Sequence, residues 1–310
     1  MANDRPASRT TWPLAARRVR FDWVETPLRW LPGDAFGSHW VNQFSFSLVK
    51  GEGFFCRTFA EALPDVTDGR LHADVETFIR QEAIHAGAHK ISIERYLAGY
   101  GVDVEGNYRL TAGLFERALA AKPFGRALPR LLRRPWLRLR VGIVAAAEHF
   151  TCALGRFALE TARWRENGGD PVVLDLFTWH SAEEVEHRAV AYDLYRALGG
   201  GYLHRVMVMA LTAPMLFLAM AAGTARFARA DGALPKSQQS MLRPGFWRAW
   251  GRSARLGNVP GPGWFLTTAW RFLRPGYHPV HEASTEIALA YIAQSPGVRA
   301  AAPVVTRAAS

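Results

Sequence analysis

The sequence contains two copies of a Glu-x-x-His motif, a spacing that lets a carboxylate and an imidazole bind one metal ion. The copies are Glu82 with His85 and Glu184 with His187. Positions i and i+3 of an α-helix lie within about 60° of each other around its axis, so both side chains of a copy reach the same side. One such pair arises by chance in many helical proteins, whereas two pairs predict the two halves of a metal site.

Two further glutamates complete the donor set of a dinuclear site. Helical bundles that bind two metal ions combine two Glu-x-x-His helices with one glutamate from each of two other helices. Glu52 and Glu148 fit because both lie on apolar helix faces, where an ionised carboxylate is costly unless a cation pairs with it. Glu61 is rotated by about 180° from Glu52 and is predicted to face outward. A buried salt bridge with arginine is the alternative for Glu52 and Glu148.

Histidines close to the motifs add further donors. His180 precedes Glu184 by four residues, which predicts one more ligand on the same helix face. His89 follows His85 by four residues and is predicted either as a ligand or as a residue that orients one. A hydrogen-bonded core histidine is the alternative for both. The predicted metal ligands are therefore Glu52, Glu82, His85, Glu148, His180, Glu184 and His187.

Side chains near the lone glutamates are predicted to line a substrate cavity, and they are Phe55, Cys56, Phe59 and Cys152. The two cysteines each follow a predicted ligand by four residues, which places them on the same helix face. Their alternative role is that of small buried hydrophobic residues. Since the chain has only 2 cysteines, a disulfide framework and a cysteine-rich zinc site are both excluded.

Four long helices must position these donors. Apolar residues recur at three-and-four spacing over 39–63, 70–100, 137–166 and 171–198, with proline or glycine at the limits, whereas strand patterns are scarce. The sequence therefore predicts an all-α four-helix bundle over 39–200, with one long crossover between its halves. Residues 1–38 are predicted as an N-terminal extension. Residues 201–310 are predicted as a C-terminal extension whose additional helices pack on the bundle, one of them a short helix near 282–294.

Two segments raise the question of membrane contact. Residues 206–225 are uncharged and match the length of about 20 residues that spans a bilayer. Pro214 and several alanines and glycines instead favour a buried core helix or an oligomer-interface helix, the latter in a homodimer; membrane association is the alternative. Residues 126–140 alternate arginine with leucine, which is typical of a solvated helix face or of peripheral contact with an anionic membrane.

Composition and charge limit the classes of function. The 310 residues are 49% hydrophobic and 21% charged, which excludes a disordered or fibrous protein. The formal net charge is +11. Because the arginines are spread along the chain instead of clustered, we expect no nucleic-acid partner. The N-terminal segment lacks the apolar core of a signal peptide, so we expect a cytoplasmic protein, membrane-associated only if the segments above contact lipid.

The segments that carry the motifs resemble a known family. They are FIRQEAIHAGAHK (78–90), AAAEHFT (145–151), WHSAEEVEHRAVAYD (179–193) and RPGYHP (274–279). They resemble the predicted metal-dependent hydrolases, a ferritin-like group, which implies a ferritin-like bundle and bound metal. The His-x-x-x-Glu-x-x-His pattern of His180, Glu184 and His187 also resembles the di-iron arylamine N-oxygenases, in which an additional histidine completes the ligands of one iron.

The donor set predicts two divalent metal ions. Mixed carboxylate and imidazole ligands favour iron, with manganese or zinc as alternatives. We expect two Fe(II) ions, bridged by Glu82 and Glu184 or by Glu148, in an enzyme that uses O2 to oxidise a small apolar or amine substrate beside Phe55 and Phe59. One alternative is a hydrolase that attacks an ester, amide or phosphate with a dimetal-bound hydroxide. A second is a non-catalytic metal-binding or membrane-associated protein.

Overall fold

The computed structural model describes residues 13–301, and over this range the chain forms helices and no β-strand. The prediction of an all-α fold is confirmed. The outer ends of the two predicted extensions, residues 1–12 and 302–310, lie outside the described residues. In chain order the helices are α1 (Ala35–Ala62), α2 (Gly69–Arg95), α3 (Val104–Ala112), α4 (Arg130–Glu160), α5 (Pro171–His187), α6 (Val190–Ala197), α7 (Tyr202–Asp231), α8 (Pro244–Arg255), α9 (Trp264–Leu273), α10 (Thr285–Gln294) and α11 (Pro296–Ala301).

Helices α1 and α2 form the first hairpin. Asp34 and Asp68 cap their N-termini by accepting hydrogen bonds from backbone N–H groups of the first turn. Because Asp34 supplies this cap, α1 begins before the predicted residue 39. Helix α2 ends at Arg95, and Leu97–Tyr100, which was predicted as part of it, forms a 3₁₀ turn.

Helices α4 and α5 form the second hairpin, and they approach each other closely. A Cβ atom on Gly155 of α4 would lie 2.5 Å from the backbone oxygen of Ser181 on α5, so this contact requires glycine. Helix α4 also begins earlier than the predicted residue 137 and contains Pro135. Trp136 anchors this turn, because its indole N–H donates to the carbonyl oxygen of Ala120 at 2.9 Å.

The prediction of one continuous helix over 171–198 is wrong. Residues Arg188 and Ala189 interrupt it between α5 and α6. The reason is tertiary, because the buried Arg188 guanidinium donates hydrogen bonds to the carbonyl oxygen of Pro279 and to Thr285 Oγ1. These contacts attach the second hairpin to the C-terminal part of the chain at the end of α5.

Four helices surround one polar interior. Helix α1 packs along α2 and α4 along α5, and the hairpins meet through contacts of α1 with α4 and of α2 with α6. The long crossover between them contains α3 and a π-helical turn, Gly113–Ala118. This arrangement directs the inner faces of α1, α2, α4 and α5 towards each other.

Arg140 corrects the prediction that 126–140 is a solvated basic face. Its side chain is only 2% exposed, and its Nη1 lies 2.6 Å from Glu61 Oε2. Nη2 also donates to Thr58 Oγ1 at 3.1 Å. Glu61 is 40% exposed, as its outward position predicts. Arg140 therefore links α4 to α1 at the bundle surface, whereas Leu131 and Leu132 near the start of α4 are exposed.

Helix α7 contains the predicted apolar stretch. Within residues 13–301 it is the one helix that is long and apolar enough to cross a membrane. Of its apolar stretch of 18 residues, 33% is buried. One face packs against α1, α4 and α9. The other face exposes Leu203, Leu211 and Leu218. The core-helix prediction therefore describes only one face of α7.

The C-terminal part of the chain packs on the bundle and is helical. Helix α10 lies where the short helix near 282–294 was expected, and α8 and α9, whose positions were not predicted, precede it. Phe217 of α7 stacks on Trp247 and Trp250 of α8 with centroid distances of 5.9 and 5.8 Å. Trp250 also contacts Trp40 of α1. The division of the chain at residues 39 and 200 stays a prediction.

Candidate metal centre

The four bundle helices bring all seven predicted ligands together in the interior. Each of these residues is at most 5% exposed. By helix they are Glu52 on α1; Glu82 and His85 on α2; Glu148 on α4; and His180, Glu184 and His187 on α5. The ligand atoms form two groups of four, and within each group they lie within 4.8 Å of one another. Each group could hold one metal ion.

The first group contains Glu52, His85, His180 and Glu184. His180 Nε2 lies 2.9 Å from Glu184 Oε1 and 3.5 Å from Glu52 Oε1. His85 Nδ1 lies 3.5 Å from the same Oε1 of Glu184. Two imidazoles and two carboxylates therefore surround one point.

The second group contains Glu82, Glu148, Glu184 and His187. His187 Nε2 lies 3.2 Å from Glu82 Oε1, 3.1 Å from Glu148 Oε2 and 3.4 Å from Glu184 Oε2. Glu184 therefore belongs to both groups, with Oε1 in the first and Oε2 in the second. This group offers one imidazole and three carboxylates, so the two groups are chemically different.

The hydrogen bonding of these side chains fits a bound cation. Both carboxylate oxygens of Glu52, Glu82 and Glu148 are buried without a hydrogen-bond partner, and so is His187 Nε2. Buried polar atoms nearly always have partners, because leaving one unsatisfied costs about 1–3 kcal/mol. Two divalent cations would balance the charge of the four carboxylates and satisfy these atoms together. The residues present therefore fit a dinuclear metal site.

The carboxyl groups have strongly perturbed pKa values. Burial, together with the neighbouring carboxylates, raises the pKa of Glu52 and Glu82 well above the usual range. The same causes raise the pKa of Glu148 to about 7. Burial also opposes ionisation of Glu184, but the surrounding imidazoles outweigh it and hold its pKa well below the usual range. Four carboxylates this close cannot all be ionised without a positive charge among them.

The pKa values of the three imidazoles in the ligand groups are also shifted in opposite directions. Burial disfavours the charged form of His85 and His187, yet nearby carboxylates raise their pKa to about 9 and about 10. Burial and the neighbouring His85 lower the pKa of His180 to about 4. A neutral ring with a free nitrogen is the form that binds metal, and His180 therefore has this form at neutral pH.

A second layer of side chains, which was not predicted from the sequence, orients the two Glu-x-x-His histidines. His85 Nε2 lies 3.0 Å from Glu183 Oε2, and Arg17 Nη1 donates to Glu183 Oε1 at 3.1 Å. His187 Nδ1 lies 3.3 Å from Gln81 Oε1, and Gln81 Nε2 donates to Glu186 Oε2. Hydrogen bonds of this kind fix the ring orientation of metal-binding histidines.

Arg17 connects the two branches of this layer, since its guanidinium also donates to both carboxylate oxygens of Glu186 at 2.6 and 2.9 Å. The contact joins the N-terminal extension to α5. The sequence contains a signal for this layer. Over residues 182–187, every position other than Glu183 and Glu186 is either apolar or a predicted metal ligand. Their partner, 166 residues earlier for Glu183, was not predictable from spacing.

His89 lies outside both groups of ligand atoms. Its Nε2 is 2.7 Å from His180 Nδ1, and its Nδ1 is 3.1 Å from Ser45 Oγ. The ring therefore contacts His180 on the side opposite to Glu184. This position corresponds to the second of the two roles that the sequence predicts, that of a residue orienting a ligand.

Two apolar cavities adjoin the metal-ligand groups. The first, the α7 cavity, encloses about 80 Å³ between α1, α4, α7 and α9 and reaches Glu52 and Glu184. The second, the α5 cavity, encloses about 60 Å³ between α1, α4 and α5 and reaches His180 and Glu184. The interior donors therefore face space that a small molecule can enter.

Of the four side chains predicted to line a cavity, Phe55 lines the α7 cavity. The other three lie elsewhere. Phe59 stacks on Phe78 at 4.6 Å, and Cys56 Sγ donates to the carbonyl oxygen of Ile79. Cys152 packs in a separate apolar cluster against α5 and α10. Helical periodicity placed them on the correct side of their helices, but neighbouring side chains fill the space beside them.

Comparison with known proteins gives one match. A family model described as "Predicted metal-dependent hydrolase" matches residues 15–283. This range includes every residue of the two ligand groups. No curated protein and no solved structure matches the chain.

Proposed function

The chain belongs to the family of predicted metal-dependent hydrolases, and we propose that it is a dinuclear iron enzyme that oxidises a small apolar or amine substrate with O2. The observation that carries this proposal is that Glu52 and Glu184 border a cavity whose other walls are almost entirely apolar. O2 and an uncharged organic substrate both favour such a space over water. A polar ester or phosphate would lose its hydration there without replacement.

The residues divide the work between the two groups. Glu52, His85, His180 and Glu184 would hold one ion, and Glu82, Glu148, Glu184 and His187 the other, with Glu184 contributing one oxygen to each. Iron bound by these residues would supply the electrons that reduce O2.

The residues around the two groups orient the histidine ligands and keep water away from them. Glu183 and Gln81 hold the rings of His85 and His187, and the apolar walls exclude water from the reacting groups. His180 makes the two groups unequal, because it gives the first group a second imidazole.

Hydrolysis of an ester, amide or phosphate is the second candidate, and the description of the matched family favours it. The same donor set can bind zinc or manganese, whose ions polarise a carbonyl or phosphoryl oxygen. A hydrolase, however, gains little from the additional donor His180 and needs polar groups for its substrate. Apart from the ligands, the residues that line the α7 cavity offer as polar side-chain groups the hydroxyls of Ser47 and Thr151 and the indole N–H of Trp264.

The His180→Ala variant tests the proposal. We expect the variant to keep iron on the remaining donors but to lose or slow the optical change that follows when the reduced protein is mixed with O2. Iron content and the absorption transient are measured side by side with the wild type. The control is His281→Ala, since His281 is exposed and belongs to neither group.

One result would contradict the oxidation. It is a wild-type iron protein that does not react with O2, together with a zinc- or manganese-loaded protein that turns over an ester or phosphate; this result supports the hydrolase. An O2 transient that is identical in His180→Ala and wild type would instead refute the role of His180, because the inequality of the two groups would then not affect the O2 reaction.

A further inference from the structure

The α7 cavity and the α5 cavity have a common wall. Both are lined by Phe44, Leu48, Thr151, Leu154 and Glu184. One cavity continues from this wall towards α7 and α9, and the other towards Trp164 and Phe177. A molecule that occupies both therefore passes Glu184 near its middle.

We propose that the two cavities are the arms of one binding site for an uncharged, unbranched aliphatic substrate, whose reacting carbon lies beside Glu184. The inference rests on the proposed function, because Glu184 is also the residue common to both metal-ligand groups. It adds the substrate class, which neither the donor set nor the family match specifies.

The chemistry of the walls excludes charged substrates. Neither cavity is lined by lysine or arginine, and the charged or ionisable groups that reach them are the ligands Glu52, His180 and Glu184. A phosphate or carboxylate in either arm, away from the ligand groups, would be buried without a basic partner. Apart from the ligands, the lining residues carry uncharged polar groups only, which are the hydroxyls of Ser47, Thr151 and Ser181 and the indole N–H groups of Trp40, Trp164 and Trp264. These groups suit a small uncharged polar end.

The dimensions favour a chain over a ring. An apolar cavity that binds benzene in another protein has about 150 Å³, whereas these arms enclose about 80 and about 60 Å³. Neither arm alone accommodates an aromatic ring without movement of its walls. A methylene chain is slender enough to place a few carbons in each arm and to follow the wall that both arms share.

The α7 cavity reaches the protein surface. Ala219 lines it and is nevertheless exposed, and the exposed Leu218 is its neighbour on α7. The opening therefore lies on the apolar face of α7, where an aliphatic chain can enter without first crossing a charged surface.

Binding of straight-chain alcohols to the zinc-loaded protein tests the inference. Calorimetric titration with 1-alkanols from six to ten carbons should show affinity rising about fourfold per methylene, the factor that corresponds to about 0.8 kcal/mol per buried CH₂, until both arms are filled. Benzyl alcohol and cyclohexylmethanol should bind more weakly than the straight-chain alcohol of equal carbon number. Equal or tighter binding of the ring compounds would overturn the proposal.

Two variants test the two arms, one variant for each arm. Ala219→Phe narrows the α7 cavity and Ala158→Phe the α5 cavity. Each should shorten the chain length at which affinity stops rising, because a chain through both arms meets either obstruction. Ala210→Phe is the matched control, since Ala210 is exposed on α7 and lines neither cavity.

Sensitivity of only one variant would show that the substrate occupies a single arm and would refute the inference. The alkanol series on the wild type decides the substrate class even if a variant does not fold. Zinc does not undergo redox reaction with O2, so these results are independent of the oxidation test. If affinity rises with chain length as expected but the iron protein does not react with O2, the oxidation alone is refuted. If the iron protein reacts with O2 but affinity does not rise with chain length, this inference alone is refuted.

Discussion

At the scale of single residues, Glu184 has the most demanding position. It is 2% exposed and lies within hydrogen-bonding or ion-pair distance of three imidazoles, those of His85, His180 and His187. Its two oxygens point to different groups of ligands. A carboxylate in this position is stabilised only if positive charge is present on both sides, because desolvation of an unpaired carboxylate costs several kcal/mol.

Replacement of Glu184 or Glu82 by alanine should reduce bound metal from two ions per chain to one or none. The reason is that each variant removes a carboxylate that a divalent ion needs for charge balance. Metal per chain is measured by elemental analysis after anaerobic loading and desalting. Glu76→Ala, an exposed glutamate on α2, is the control and should retain two. Two ions retained by both Glu82→Ala and Glu184→Ala would show that the site lies elsewhere.

Glu183 should act on metal affinity without binding metal itself. Its carboxylate accepts from His85 and from Arg17, and its side chain is fully buried. Glu183→Gln keeps the shape but removes the charge that makes the His85 ring a stronger donor, so we expect metal affinity to fall about 10–100-fold. Competition with a chelator measures it. The exposed Glu286→Gln is the control, and an unchanged affinity in Glu183→Gln would refute this orienting role.

At the scale of helices, a buried polar contact connects α1 to the end of α7. His39 Nε2 lies 2.8 Å from Asp231 Oδ2, and Arg29 donates to the same carboxylate. Burial lowers the pKa of His39, despite the nearby carboxylate. Burial works against ionisation of Asp231, but hydrogen bonds from Arg29 and His39 outweigh it and lower its pKa.

Both shifts predict that acid weakens the connection between α1 and α7. Below pH about 6.5 an unfolded chain protonates His39, whereas the folded protein keeps it neutral, so the free energy of unfolding falls as the pH falls towards the folded pKa. Asp231 adds a loss of the same sign below pH about 4. His39→Gln should therefore lose less stability than wild type between pH 7.5 and 5. Urea unfolding at several pH values measures this difference, and parallel curves for the two proteins would contradict it.

At the scale of the whole molecule, the apolar face of α7 is the most unusual surface. Leu203 and Leu211 of α7 are 82% and 55% exposed, and Leu266 and Trp270 of the neighbouring α9 are 77% and 65% exposed. The opposite face of α7 carries buried polar contacts. Arg205 donates to Tyr192 and to the carbonyl oxygen of Arg274. A bilayer-spanning position would break these contacts.

We therefore expect a protein that is soluble or only peripherally bound to membranes. After ultracentrifugation without detergent it should remain in the supernatant or be released from membranes by a high-salt wash. The reason is that the exposed Arg126, Arg130, Arg133 and Arg134 would bind anionic lipid electrostatically, and salt screens this attraction. Immunoblots of the fractions measure the distribution. Retention in membranes after salt and alkaline washes would show instead that α7 inserts into lipid.

The residues of the two candidate ligand groups were predictable from sequence because their arrangement depends mainly on local geometry. The i, i+3 spacing of Glu82 with His85 fixes their direction on any α-helix. An ionisable residue on an apolar face, such as Glu52 or Glu148, likewise indicates a buried partner wherever the helix packs. The all-α fold followed from the same periodicity, so the sequence by itself determined the fold class and the candidate donors, whereas several helix limits were decided by tertiary contacts.

The remaining features depend on contacts between residues far apart in the chain. Arg17 reaches Glu186 across 169 positions, and Arg188 breaks the predicted helix by binding residues about 90 positions later. Cavity walls depend on which side chains fill the space between helices, which is why Phe55 lines one and Phe59 does not. Periodicity specifies which face of a helix is buried, but it does not specify which element packs against that face. Only the tertiary structure could therefore decide the second layer, the helix break and the shape of the substrate space.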